Sequence, residues 1–184
     1  MGGHHLILGA LVDFITGETL ADTHDERYRQ KIARLLVNVK GYSKADIEPR
    51  RKLLVKVEDK KALVPIDFVI RLSGRIGMII RYGPGSLVTR QRPALAASRL
   101  LAPYQIPVAV VTNGEDAEII AASSSQVISQ SLKSIPAKSE LLKIVAGAQF
   151  RRIPSRQAEM EARILYAYEV DGSCPCDDTI CKLG

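Results

Sequence analysis

The chain has 184 residues, three cysteines and a formal net charge of +6 at neutral pH. This length suffices for one hydrophobic core, and three cysteines do not make the disulfide framework of a small secreted domain. No stretch approaches the roughly 18 consecutive apolar residues of a membrane-spanning helix, and the N-terminus lacks a secretory pattern. We therefore expect one main cytoplasmic domain without a membrane partner, whose positive charge favours polyanions.

The N-terminal part of the chain predicts a short hairpin followed by a helix. Residues 1–20 are largely apolar and contain the turn dipeptide Thr16-Gly17. Thr23 suits a helix N-cap, and Glu26 three positions later completes a capping box. Apolar residues then recur at helical spacing until Gly41, a typical stop. As a single residue, Glu26 has a sufficient structural role here.

The middle of the chain predicts an antiparallel meander joined to a crossover. Residues 46–72 alternate polar and apolar positions around a polar turn, and GMIIRY at 77–82 makes a third strand. The tight break Gly83-Pro84-Gly85 follows. Residues 92–104 then predict a helix and residues 106–114 a buried strand, which requires a crossover and hence a mixed sheet.

The C-terminal part predicts two helices and a tail. The helices cover residues 139–147 and 155–170, and the spacing of their apolar residues places seven side chains toward the core: Leu141, Leu142, Val145, Met160, Ile164, Leu165 and Tyr168. The predicted organisation is an N-terminal segment 1–20, a core 21–121, a helical extension 122–170 and a cysteine-containing tail 171–184.

Arginine is concentrated in a segment without acidic residues. From Phe68 to Gly114 there is no Asp or Glu, whereas six arginines occur there: Arg71, Arg75, Arg81, Arg90, Arg92 and Arg99. Because guanidinium groups match phosphate oxygens and lack local acidic partners here, the segment predicts a phosphate-facing surface. The alternative for each arginine is a solvated position over apolar strands.

The turn after the third strand is a second candidate anion site. Backbone amides of Gly83–Ser86, with neighbouring hydroxyl and guanidinium groups, suit a phosphate nest, although a simple break between strand and helix explains the same residues. Lys52, Lys56, Lys60 and Lys61 extend the basic surface. The predicted nucleic-acid-binding residues are Arg75, Arg81, Ser86, Thr89, Arg90 and Arg92.

The order of these motifs resembles a known family. DERYRQKIARLLV, GYSKADIEPRR, VPIDFVI, GMIIRY and YQIPVAVVTNG follow one another between about residues 20 and 120. This order resembles the PD-(D/E)xK, or restriction endonuclease-like, superfamily and, more narrowly, the N-terminal nuclease domain of type I restriction enzyme R subunits. The resemblance implies an α/β fold with a mixed central sheet flanked by helices, here with a helical C-terminal extension.

The resemblance also implies metal-assisted phosphodiester hydrolysis, in which carboxylates hold Mg²⁺ and a lysine stabilises the developing charge. Glu26 matches the helix acid of the family and Asp67 the strand aspartate. The Glu-x-Lys pair falls on residues 79–81, where Ile79 replaces the glutamate and Arg81 the lysine. Isoleucine cannot ligate a metal, and no acid occurs between Asp67 and Glu115, so the site is predicted to be degraded.

Three functions remain open at this stage. The first is a nucleic-acid-binding protein with a degraded nuclease site; DNA is the expected ligand, although the sequence does not distinguish DNA from RNA. A helicase or methyltransferase partner would supply further activities. The second is an active Mg²⁺-dependent endonuclease with a relocated glutamate, for which Glu48 is the nearest candidate. The third is a non-catalytic protein-interaction domain, which would present an exposed apolar patch.

The three cysteines lie close to the C-terminus. Cys174, Cys176 and Cys181 are spaced C-x-C-x₄-C, which provides three possible Zn²⁺ ligands but not the usual paired C-x₂-C motif. A fourth ligand would have to come from one of five residues: Asp177, Asp178, His4, His5 or His24. The alternative is a reduced tail without metal.

Overall fold

The computed structural model describes residues 8–171 and the backbone of residues 181–183. The strands are β1 (Ala10–Val12), β2 (Thr19–Ala21), β3 (Ile47–Val57), β4 (Lys60–Leu72), β5 (Arg75–Tyr82), β6 (Val108–Thr112), β7 (Ala117–Ala121), β8 (Gln126–Gln130) and β9 (Cys181–Leu183). The α-helices are α1 (His24–Asn38), α2 (Val88–Leu100), α3 (Lys138–Gly147) and α4 (Ser155–Tyr166), and a π-helical turn (Ala167–Asp171) continues α4.

The central sheet is mixed, as the sequence predicts. Its strands lie in the order β3-β4-β5-β6-β7-β8, and β9 pairs with β4. Helix α2 connects β5 to β6, which are the parallel pair, whereas the other neighbours in this order are antiparallel. The α/β fold with a mixed sheet flanked by helices is therefore confirmed.

Helices cover both faces of the sheet and form two apolar layers. On one face Leu95 of α2 and Leu165 of α4 are buried against the sheet, and we call this the α2/α4 layer. On the other face Ile32 of α1 and Leu141 of α3 are buried, which defines the α1/α3 layer. Because successive strand residues point to opposite faces, strands β3, β4, β5, β6 and β7 each contribute to both layers.

Helix α1 begins as the sequence predicts. The Thr23 hydroxyl accepts a hydrogen bond from the Glu26 backbone N–H over 3.1 Å, which satisfies one of the free donors at the helix N-terminus. The helix ends at Asn38, and Gly41 with a φ of +77° lets the chain turn away. Hairpin β1–β2 precedes this helix, with Ala10 paired to Ala21.

Strands β3 and β4 form a long hairpin that is irregular at one position. Pro49 pairs with Phe68 and Arg51 with Ile66, but Arg50 and Asp67 between them are not paired. Arg50 has a φ of +53°, a left-handed conformation that is unfavourable for a residue with a side chain. We refer to residues 51–66, beyond this irregularity, as the β3–β4 arm.

Several predicted boundaries and core positions differ from the structure. Helix α2 begins at Val88 rather than at residue 92, so that Pro93 lies inside it, and the helical extension predicted from residue 122 starts with strand β8. Leu142, Met160 and Tyr168 are exposed because they lie on the outer sides of their helices. Among the described residues, no helix combines the length and apolar content needed to cross a membrane.

Candidate functional site

Asp67 lies where strands β4 and β5 separate. Their pairing reaches Phe68 and Ile80 and goes no further. In place of the next backbone contact, the Tyr82 N–H donates to Asp67 Oδ2 over 2.7 Å, and Arg29 of α1 donates its Nε–H to Oδ1 over 2.6 Å. Asp67 is only 6% exposed. Both of its carboxylate oxygens thus accept hydrogen bonds from nitrogen.

Glu26 lies in an adjoining polar cluster that the N-terminal hairpin completes. Gln30 Nε2 donates to Glu26 Oε1 and to Asp13 Oδ2, each over 2.8 Å. Arg50 Nη1 lies 2.7 Å from Asp13 Oδ2 and 3.6 Å from Glu26 Oε1. Arg29 Nη1 is also 3.6 Å from Glu26 Oε2, which links this cluster to Asp67. Two guanidinium groups therefore lie among three buried carboxylates.

Hydrogen bonding outweighs burial in setting the charge of this cluster. Burial raises the pKa of Asp13. Hydrogen bonds donated by the Thr16 backbone, Arg50 and Gln30 lower it by a larger amount, and the net result is a pKa of about 2. For Arg29, burial lowers the pKa of the guanidinium. The negative charge of Asp67 raises this pKa by more, so the net shift of Arg29 is upward. Both groups remain charged at physiological pH.

Aromatic side chains close one side of the site. The Tyr82 hydroxyl donates to Asp25 Oδ1 over 3.0 Å, and its ring stacks on Tyr28 with centroids 5.9 Å apart. The Arg29 guanidinium lies 5.1 Å from the centre of the Tyr82 ring. Burial, and then the hydrogen bond to Asp25, raise the pKa of Tyr82. Tyr82 is thus a neutral hydrogen-bond donor in the site.

Arg81 does not join Asp67. Ile79 is buried in the α2/α4 layer, whereas Ile80 and Tyr82 are buried in the α1/α3 layer with α1. By alternation Arg81 shares the face of Ile79, and its Nη2 donates to Glu169 Oε2 over 2.8 Å. The β5 residues on the side of Asp67 and Glu26 are therefore Ile80 and Tyr82. The resemblance places the Glu-x-Lys pair one residue earlier, at Ile79 and Arg81.

The arginine segment finds acidic partners far away in sequence. Arg92 and Arg99 bind the two carboxylate oxygens of Glu161 in α4, at 2.6 and 2.5 Å, and Glu161 is only 3% exposed. Together with the pair of Arg81 and Glu169, these contacts form an ion-pair network. For Arg81, Arg92 and Arg99 the expectation of no acidic partner is wrong, because their partners lie in α4 and the π-helical turn after it, more than 60 positions along the chain.

The remaining predicted phosphate contacts divide between two regions. Arg75 begins β5, at the far end from Tyr82, and its guanidinium lies 4.5 Å from the Phe150 ring centre and 5.9 Å from that of Tyr104. Arg90 lies over the turn after β5 and donates to the Pro84 carbonyl over 2.9 Å. Ser86 and Thr89 are exposed beside it, joined by a 3.3 Å bond from Thr89 Oγ1 to the Ser86 carbonyl.

The other candidate ligands are not gathered at this site. Glu48 pairs with Arg51 over 2.7 Å on the edge strand, and exposed His24 contacts the Tyr28 ring. Within the described part of the chain, no three His, Cys, Asp or Glu side chains are grouped so that they could hold a metal ion. Of the proposed zinc ligands, six lie outside the described residues: Cys174, Cys176, Asp177, Asp178, His4 and His5; for Cys181 only the backbone is described.

Five residues of the site were not identified from the sequence: Asp13, Arg29, Gln30, Arg50 and Tyr82. A signal existed for two of them, since residues three and four positions after Glu26 share its helix face. The others depend on strand pairing and on the docking of the hairpin, which periodicity does not specify.

Comparison with known proteins gives one match. The family model described as type I restriction enzyme R protein N terminus matches residues 24–136. This range includes α1, the central strands β3–β8 and both Glu26 and Asp67, and it excludes the β1–β2 hairpin that supplies Asp13. Neither a curated protein nor a solved structure matches the chain.

Proposed function

Because the chain belongs to the type I restriction enzyme R protein N-terminus family, we propose that its nuclease-like domain binds nucleic acid, specifically DNA, without cleaving it. One observation carries this proposal: Arg29 occupies the Asp67 carboxylate at 2.6 Å, where a nuclease of this kind would hold its metal. A guanidinium group neutralises the carboxylate but cannot activate water as a metal ion does.

The residues present do not fit the Mg²⁺ that the family implies. Mg²⁺ requires several oxygen ligands in octahedral geometry, whereas both Asp67 oxygens accept from nitrogen donors and Glu26 Oε1 accepts from Gln30. The nearest positions of β5 are Ile80, which has no ligand atom, and Tyr82, whose hydroxyl donates to Asp25. No hydrolytic step is therefore assigned to this site.

Charge and location support a binding role. The net charge of +6 favours polyanions. Ser86, Thr89 and Arg90 follow the end of β5 that carries Tyr82, and Ser86 and Thr89 are exposed. Arg81 and Arg92 contribute structure instead, since Glu169 and Glu161 already bind them. In this proposal, partner chains such as a helicase or methyltransferase supply further activities on the bound DNA.

A combined binding and cleavage assay tests the proposal. Purified protein is titrated with a fluorescent DNA duplex at several salt concentrations, and the same duplex is incubated with Mg²⁺, Mn²⁺ or EDTA. We expect binding that weakens steeply with salt, because bound phosphates release counterions, and no cleavage under any condition. Binding that does not depend on salt contradicts the proposal.

The Asp67→Ala variant is the control for residual catalysis. If the natural protein cleaves DNA only with a divalent metal, and this cleavage disappears in the variant, the protein is an active nuclease. A glutamate such as Glu48 would then move into the site to bind the metal. Absence of DNA binding at physiological salt would favour a protein-interaction domain.

A further inference from the structure

One face of the β3–β4 arm is part of the core. Five apolar residues of the arm are buried in the α2/α4 layer: Leu53, Val55, Ala62, Val64 and Ile66. Since side chains alternate along each strand, the intervening residues of the arm lie on its opposite face. Of these, Lys52, Leu54, Lys56 and Lys61 are exposed, and Leu63 and Pro65 are partly exposed.

The open face presents three exposed lysines: Lys52, Lys56 and Lys61. Within residues 8–171, the side chains of Lys52, Lys56 and Lys61 form no hydrogen bond or ion pair. The two acids of the turn do not change this: Glu58 Oε1 lies 3.8 Å from Arg163 of α4, and Asp59 is an exposed turn residue. Strand β9 runs beside Lys61–Leu63 in the plane of the sheet.

The strand register places two of these lysines directly opposite each other. Lys56 pairs with Lys61, Leu54 with Leu63, and Lys52 with Pro65. Like charges opposite each other across strands are destabilising, so the arrangement is unfavourable in the free protein. An anion bound between the two lysines removes this repulsion. Leu54, which lies between Lys52 and Lys56 on the same face, is also exposed.

We propose that this lysine face of the β3–β4 arm is the principal contact with the phosphate backbone of DNA. The proposal rests on DNA binding by the domain and names the surface that provides it, in place of the ion-paired arginines Arg81, Arg92 and Arg99. Lys52 and Lys56 are separated by about 13 Å along the strand, so they contact different phosphates. Lysine contacts to phosphate carry no base specificity, so binding is insensitive to sequence.

A triple variant and a charge-matched control test the surface. The variant combines Lys52→Gln, Lys56→Gln and Lys61→Gln. The control combines Lys143→Gln, Arg152→Gln and Arg156→Gln, which removes three exposed positive charges from α3, α4 and the loop between them. Duplex DNA of two unrelated sequences is titrated against the natural protein and both variants from 50 to 300 mM salt, together with vesicles containing anionic lipid.

We expect the lysine variant to lose at least tenfold in DNA affinity, with a slope of log affinity against log salt reduced by about 2.7, the value for three lost phosphate contacts. The control should keep most of its affinity. The unfolding midpoint of Lys56→Gln alone should equal or exceed that of the natural protein, because the lysine repulsion is removed, and this checks that weaker binding does not reflect misfolding.

Three other outcomes overturn the inference. If both triple variants lose affinity equally, only net charge matters; if the lysine variant binds as the natural protein does, DNA contacts another surface. If the lysine face binds anionic vesicles and not DNA, its partner is a membrane surface. Failure of the natural protein itself to bind DNA is a different result, because it removes the proposed function rather than the choice of surface.

Discussion

Arg29 of α1 binds Asp67 of β4 through an Nε–Oδ1 contact of 2.6 Å, and the same guanidinium lies 3.6 Å from Glu26. One cation thus compensates the two carboxylates that the sequence resemblance predicts to be the catalytic acids. The contact joins the first helix to the irregular part of the sheet, so we expect it to affect both stability and metal binding.

Replacing Arg29 should destabilise the fold. In Arg29→Gln the buried Asp67 carboxylate loses its cation, and we expect a loss of about 3 kcal/mol in the free energy of unfolding, since removing one partner of a buried pair leaves the other uncompensated. Urea denaturation measures this change. Arg27→Gln, on the exposed side of the same helix, is the matched control and should have a much smaller effect. Equal losses of unfolding free energy in the two variants would mean that the contact with Asp67 contributes no more than an exposed ion pair.

Metal should distinguish the same two proteins. With Arg29 in place, we expect millimolar Mg²⁺ and EDTA to give the same unfolding midpoint, because both Asp67 oxygens are engaged. In Arg29→Gln, Oδ1 is freed, and Mg²⁺ should raise the midpoint by a few degrees through binding to the folded state. Stabilisation of the natural protein by Mg²⁺ would contradict our account of the site.

Acid should weaken the attachment of the hairpin through Asp13. Its pKa is lowered from 3.8 to about 2 in the folded chain. A lowered pKa stabilises the fold above the unfolded value near 3.8, and this contribution is lost as the pH falls through about 2. Asp13→Asn should therefore lose on the order of 2 kcal/mol at neutral pH and show a flatter decline between pH 4 and 2. Unfolding curves at stepped pH test this, and parallel curves would contradict it.

Glu161 should be essential for the packing of α4 on α2. Its nearly buried carboxylate binds Arg92 and Arg99, so Glu161→Gln leaves two guanidinium groups without their anion. We expect a loss of roughly 3 kcal/mol in unfolding free energy. Exposed Glu159 in the same helix is the control, and Glu159→Gln should stay within about 0.5 kcal/mol. If Glu161→Gln changes the DNA affinity strongly but leaves the free energy of unfolding nearly unchanged, Arg92 is a DNA contact rather than a structural residue.

Gly114 should tolerate no side chain. It has a φ of +87°, and a Cβ atom there would overlap the Tyr28 ring. Gly41 also has a positive φ, of +77°, but lies in open space. Gly41→Ala should cost roughly 1–2 kcal/mol for its backbone conformation alone, whereas Gly114→Ala should cost about 1–3 kcal/mol more for the clash. Similar urea midpoints for the two variants would show that Tyr28 moves freely.

Local sequence signals located most of the framework and part of the site. The N-cap signal at Thr23 correctly predicted the start of α1, although the reciprocal bond of a capping box is not formed: the Thr23 N–H donates to the Ala21 carbonyl. Alternation correctly predicted the hairpin that carries Asp67. Both patterns depend on neighbouring residues. The same local reasoning failed at Pro93, which lies inside α2, and at β8, whose polar composition resembles a loop. In β8 the pairing with β7 decides the structure rather than the residues themselves.

The sequence by itself determined the α/β order, the family and the positions of Glu26 and Asp67, since these follow from local periodicity and from motifs read along the chain. Only the tertiary structure decided what those acids contact. Arg29 reaches Asp67 through helix packing, and Arg50 reaches Glu26 through an irregular strand register. Glu161 reaches the arginine segment from a distant helix. Charge compensation acts through space, over a few ångströms, and separation along the chain does not reveal it.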